Sequence, residues 1–149
     1  MELITNPSLL ILDEPTSGLD SFSSLRLLRL LRRIARQGKT VVASVHSPNS
    51  EGFLLFDKLL VLADGHLVFQ GEAKLAHEYF ASVGFECPPF SNPADFFMRA
   101  FAVAYPLSEA DAAKIAFLKR KYDARIAPSV KQECDEIKLL HPNLDYQQN

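Results

Sequence analysis

The sequence predicts an α/β chain: a partial parallel sheet flanked by helices, with a small α-helical C-terminal tail. Two apolar runs and the segment between them carry that prediction. Leu9-Leu10-Ile11-Leu12 are consecutive apolar residues where a half-exposed strand would alternate, so they suit a strand buried on both faces of a parallel sheet. A second run, Val41-Val42-Ala43-Ser44-Val45, follows at a distance that admits one crossover helix. Ser21 to Arg36 supplies that helix, with apolar residues at Leu25, Leu28, Leu31 and Ile34 and a second row at Leu27 and Leu30, a wide face to bury.

The first strand ends in Asp13-Glu14-Pro15-Thr16-Ser17-Gly18-Leu19-Asp20. Open α/β sheets bind ligands at the carboxyl ends of their strands. Adjacent carboxylates there suit phosphate chemistry, one holding Mg²⁺ and the other activating a water. Gly18 is the residue expected where a tight turn needs positive φ. Asp20 or Ser21 caps the helix and Gly38 ends it. Arg26, Arg29, Arg33 and Arg36 share one side of it and read as a solvated face. The net charge of −2 gives no support to nucleic-acid binding. Gly38-Lys39-Thr40 imitates the end of a phosphate-binding loop, but the first glycine of that pattern would fall on Arg33, and the order here is helix to strand.

His46 and Ser47-Pro48 end the second run, and Ser50 to Phe56 reads as a short helix. Lys58 to Ala63 is another buried strand, turned by Asp64-Gly65 into His66 to Gln70. Gly71 closes that hairpin; Glu72 to Val83 is an amphipathic helix stopped by Gly84. Asn92-Pro93-Ala94-Asp95-Phe96 starts a helix with Asn92 as N-cap, Pro93 at N1 and Asp95 near the positive dipole end. Ser108-Glu109-Ala110-Asp111 opens another to about Asp123, and Pro128-Ser129 with Gln132 a last one to about Leu140. From Pro142 onward the chain reads as a frayed end.

The length, 149 residues, suits one modest domain. Cys87 and Cys134 are far apart and in no ligand spacing, against zinc and against a disulfide scaffold. No apolar run approaches the ~18 residues that would span a bilayer, and acidic Glu2 stands where a signal peptide would be basic.

Leu9 to Asp20 resembles, residue for residue, the Walker B motif and D-loop of ATP-binding cassette (ABC) ATPases. That resemblance implies a P-loop NTPase-type sheet, ATP and Mg²⁺ as cofactors, and roles for single residues. Asp13 would bind Mg²⁺, usually through water, and Glu14 would be the general base. Ser17, Gly18, Leu19 and Asp20 would reach the partner's nucleotide site in a head-to-tail dimer. His46 resembles the H-loop histidine, whose partner is the γ-phosphate; His66, His77 and His141 have no such place. Asn92 to Phe96, shortly after Cys87-Pro88-Pro89, is similar to the post-core element of the ABC G subfamily (White and pleiotropic-drug-resistance types).

The resemblance divides the chain into the C-terminal half of a nucleotide-binding domain, 1–84, and a post-core helical segment and linker, 85–149. Its implied partners are a second nucleotide-binding domain and a transmembrane domain, not nucleic acid, at the cytoplasmic face of a membrane. No Walker A, Q-loop or LSGGQ-type signature occurs in the 149 residues. Met1-Glu2-Leu3 resembles the end of the family's helix before Walker B, so Met1 is expected to be an internal methionine of a longer transporter. The chain alone is therefore expected to be marginally stable and inactive as an ATPase. Two rival expectations are a non-catalytic module that docks on a complete transporter, and a piece of a soluble ABC ATPase.

Overall fold

The structure, a computed structural model, describes residues 7–141; the expectations for Met1-Glu2-Leu3 and for the segment from Pro142 onward lie outside them. It is mixed α/β, with two small sheets and their helices. The described elements run β1 (Leu9–Leu12), α1 (Ser21–Arg36), β2 (Thr40–Ala43), α2 (Ser50–Phe53), β3 (Lys58–Ala63), β4 (His66–Glu72), a 3₁₀ turn (Ala73–Leu75), α3 (Ala76–Ser82), α4 (Pro93–Phe101), α5 (Glu109–Arg125) and α6 (Ala127–Leu140). Strands β1 and β2 pair in parallel, with Leu9 opposite Thr40 and Leu12 opposite Ala43. Strands β3 and β4 form a separate two-stranded sheet.

The chain divides into two compact units. Of the described residues, one comprises those up to Leu59 with Glu72–Phe101; the other comprises Leu60–Gly71 with those from Ala102 on. In the first, the β1–α1–β2 crossover is built as its pattern requires. Asp20 is the N-cap of α1, its Oδ1 accepting from the Phe22 and Ser23 amides at 3.0 Å each. The core of this unit is aromatic. Phe80 is fully buried, its ring 4.6 Å from that of Phe97 and 4.7 Å from that of Phe101, and Phe85 meets Phe101 edge-on at 5.3 Å. Helix α2 lies so close to α1 that a Cβ on Gly52 would come within 2.9 Å of Leu28 Cδ1.

In the second unit the hairpin turn has positive φ at both Asp64 and Gly65, as a two-residue hairpin demands. Val68, Phe69, Ile115, Leu118 and Tyr122 are buried. The Tyr105 hydroxyl donates to the Asp64 carboxylate, and Ser108 caps α5 by accepting from the Asp111 amide at 3.0 Å.

Several expectations are corrected. Neither β1 nor β3 is buried on both faces: Ile11 is 68% and Leu62 69% exposed. Among the described residues each sheet has two strands; Leu9 and Ile11 leave one face of β1 exposed and Leu60 and Leu62 one face of β3, whereas Val68 and Phe69, neighbours on opposite faces of β4, are both buried. On α1 only Leu28 and Leu31 are buried, a narrower face than the double apolar row suggested, with Leu30 exposed. Strand β2 starts at Thr40 and ends at Ala43. Helix α2 stops at Phe53 because the next amides turn tighter, Leu55 to the Gly52 carbonyl at 3.0 Å and Phe56 to that of Phe53 at 3.4 Å. Strand β4 passes through Gly71 to Glu72, so α3 begins only at Ala76. Gln132 does not cap α6; its amide donates to Glu136 at 2.9 Å, one turn on.

Candidate functional site

The carboxyl ends of β1 and β2 lie side by side, so the residues that follow each strand share one end of the parallel pair. Asp13 and Glu14 follow β1, both exposed, and Ser44 follows β2. The Ser44 amide extends the ladder by donating to the Leu12 carbonyl at 3.0 Å. That places its hydroxyl between the two acidic residues. The Glu14 amide donates to Ser44 Oγ at 2.8 Å, and Ser44 Oγ donates in turn to Asp13 Oδ1 at 2.6 Å, the length of a charge-assisted bond.

Ser44 is the residue that sequence reasoning missed. Its one signal was a hydroxyl interrupting an apolar run near the end of a strand. Glu14 itself stands at φ 42°, in the left-handed region that non-glycine residues avoid. Such strain clusters at functional positions. The Glu14 carbonyl accepts from the Ser17 amide at 2.9 Å, and Gly18 sits at φ 73°, the turn expected of it.

The other sequence-derived residues fall as follows. Both oxygens of Asp20 serve its own helix, Oδ2 accepting from Ser23 Oγ at 2.7 Å in addition to the two amides on Oδ1. The Ser23 hydroxyl, its amide and the Phe22 amide hold the Asp20 carboxyl below its ordinary range. Ser17 is exposed beside Gly18. His46 is exposed, two residues beyond Ser44, and makes no hydrogen bond or ion pair to Asp13 or Glu14 among the described residues. Ser47 follows at φ 43°, and the Pro48 carbonyl accepts from Asn92 Nδ2 at 2.9 Å. Asn92 thereby does two things: its Oδ1 accepts from the Ala94 amide at the start of α4, and its amide nitrogen ties that helix to the loop after His46.

The donor set suits a hydrated cation bound with phosphate. Among the described residues no group of three or more His, Cys, Asp or Glu side chains could hold a metal ion alone. Mg²⁺ does not require one, since it keeps several waters and takes one or two carboxylates plus substrate phosphates. Asp13 offers such a carboxylate, one oxygen turned to Ser44 and the other without a partner among the described residues.

The family model of ABC-2 type transporters matches residues 46–136, more than half of the chain. That family describes the membrane part of such transporters rather than a nucleotide-binding domain. The mouse (Mus musculus) broad substrate specificity ATP-binding cassette transporter ABCG2 is 56% identical over 98 residues, 66% of this chain and 15% of that protein. ABC transporter G family member 13 of Arabidopsis thaliana is 54% identical over 99 residues, again 66% and 15%. Protein white of Drosophila melanogaster is 47% identical over 102 residues, 68% and 15%. The chain thus spans about 15% of the length of these relatives. The solved structure of cbiO1 from Clostridium perfringens, part of the ABC transporter complex cbiONQ, is 34% identical at a TM-score of 0.44, covering 53% of this chain and 30% of that one. No helix among the described residues is long and apolar enough to cross a membrane. Homologous to ABC transporters of the G subfamily, this chain belongs to the ABC-2 type transporter family.

Proposed function

We propose that the chain is the C-terminal half of the nucleotide-binding domain of a G-subfamily ABC transporter, in which ATP hydrolysis drives movement of a substrate across a membrane. The observation that supports this most is the Ser44 bridge. It draws Asp13 and Glu14 to the end of β2, whose following loop carries His46. The Asp13 carboxylate and the Glu14 backbone are held at the carboxyl ends of the two strands, the end at which open α/β sheets bind ligands, and this supports the reading.

In this role Asp13 holds Mg²⁺ through water and Glu14 polarises the attacking water. His46 meets the γ-phosphate, and Ser17, Gly18 and Asp20 line the approach of a second nucleotide-binding domain. Mg²⁺ there supplies neutralisation of the developing phosphate charge. Residues 1–84 belong to the ATPase core of P-loop NTPase type and 85–149 to the segment leading toward the membrane domain. The assembly works at the cytoplasmic face, with ATP and Mg²⁺ as cofactors. The lysine and amide nest of a P-loop are not among the 149 residues, so the chain alone is expected to be inactive.

Mn²⁺ as a paramagnetic substitute for Mg²⁺ tests the reading on the ¹⁵N-labelled chain. Broadening should centre on the amides of Asp13, Glu14 and Ser44 and be lost in Asp13→Asn, which keeps the shape and the acceptor for Ser44. Broadening centred elsewhere, or unchanged in Asp13→Asn, would overturn it. ATP turnover by the purified chain that vanished in Glu14→Gln would overturn the expected inactivity.

A further inference from the structure

Helix α1 carries arginines at 26, 29, 32, 33 and 36, in a chain whose formal net charge is −2. The fold separates them. Arg26 lies over the Phe22 ring, 5.8 Å from its centroid. Arg29, Arg32, Arg33 and Arg36 instead line one cavity of about 230 Å³, together with Leu55 of the turn after α2. Among the described residues only Arg29 of these four has a counter-charge, the Glu51 carboxylate. Arg32, Arg33 and Arg36 have no hydrogen bond or ion pair among the described residues, and Arg32 Nε is buried without a partner.

Arg29, Arg33 and Arg36 are exposed, as on a solvated face, but all four arginines border one cavity, and the Arg32 Nε–H is withdrawn from water with no acceptor among the described residues, a state that disfavours the free form. A carboxylate brings one charge and two oxygens, and Glu51 already gives that to Arg29. A phosphoryl dianion brings about two charges and three acceptor oxygens, which match the planar forks of three unpaired arginines. The cavity falls below the ~300 Å³ at which drug-sized pockets begin, so the group it takes is small, with Leu55 beside its substituent.

We propose that this arginine-lined cavity on α1 binds a phosphoryl group, borne by a small soluble phosphate or by a phospholipid headgroup. None of its lining residues takes part in the Asp13–Glu14–Ser44 arrangement, and the inference stands apart from the proposed ATPase role.

Inorganic phosphate, titrated into the ¹⁵N-labelled full chain at constant ionic strength set with chloride, should shift the Arg32 Nε–H resonance to saturation. Arg32→Gln should weaken binding about tenfold or more, the loss of one charged hydrogen-bonding group. Arg33→Lys and Arg36→Lys, which keep the charge and lose the fork, should weaken it too, while Arg26→Gln should not. Phosphatidylcholine vesicles with and without phosphatidic acid separate the sources. Capture by phosphatidic acid that Arg32→Gln abolishes identifies a headgroup, and phosphate binding without vesicle capture identifies a soluble ligand. A shift that chloride alone reproduces, an equal loss in Arg26→Gln, or no response to either probe overturns the proposal.

Discussion

Replacing Ser44 by alanine removes both bonds of the bridge at once. The bond to Asp13 Oδ1, at 2.6 Å, is charge-assisted and worth ~1.5–3 kcal/mol net; that from the Glu14 amide, at 2.8 Å, is neutral and worth ~1. Asp13, Glu14 and Ser44 are all exposed, so water takes up the freed partners. The expected loss is therefore about 1–2 kcal/mol rather than the sum. It is comparable with the ~1–3 kcal/mol cost of a left-handed non-glycine residue. The bridge is thus large enough to hold Glu14 at φ 42°, and without it the turn should relax. The assay is amide hydrogen exchange at Glu14 beside the urea midpoint, for wild type, Ser44→Ala and Ser44→Thr. Exchange at Glu14 should quicken about tenfold in the alanine variant, as ~1.4 kcal/mol implies. The threonine variant, which keeps the hydroxyl, should restore it. Wild-type exchange and midpoint in Ser44→Ala would refute the reasoning.

Phe80→Ala removes a fully buried ring from contact with Phe97 and Phe101 and should cost ~3–5 kcal/mol in urea unfolding; a loss under ~1 kcal/mol would show that the core lies elsewhere. The Asp20 carboxyl titrates lower folded than unfolded, mainly through the Ser23 hydroxyl, so its support of α1 is complete above an ordinary aspartate value of about 4 and lost as pH falls through the depressed folded value. The helicity difference between wild type and Asp20→Ala should therefore be present at neutral pH and shrink in acid, and a difference independent of pH would count against the cap. Cys134 is exposed, whereas burial pushes the Cys87 thiol up against a smaller opposing pull from Arg99. Maleimide should label Cys134 alone in the native chain, and Cys87 only on unfolding; rapid double labelling would contradict the buried placement.

Where the determinants were local, the sequence was legible. Apolar runs and flanking turn residues located β1, α1 and β3 at their observed limits, Leu9–Leu12, Ser21–Arg36 and Lys58–Ala63. Caps were legible for the same reason, since Asp20, Asn92 and Ser108 bond to amides two or three residues away. So was the position of Asp13 and Glu14, because a strand that ends in a turn delivers its next residues to the sheet's edge.

What lay between distant segments was not legible. Ser44 reaches Glu14 and Asp13 across 30 and 31 residues, and Asn92 reaches Pro48 across 44. Periodicity named Arg26 as a member of the basic stripe, yet packing turned it to Phe22 and brought in Arg32 with Leu55. Continuous apolar runs suggested two covered faces, but a run records only that a strand can be covered, and the cover must come from another layer. The sequence alone determined the bounds of β1, α1 and β3, the caps at Asp20, Asn92 and Ser108 and the place of the acidic pair after β1, because those depend on torsions and hydrogen bonds within a few residues. Only the tertiary structure decided which faces are covered and which side chains meet, because those contacts close long loops and exist only once the chain has packed.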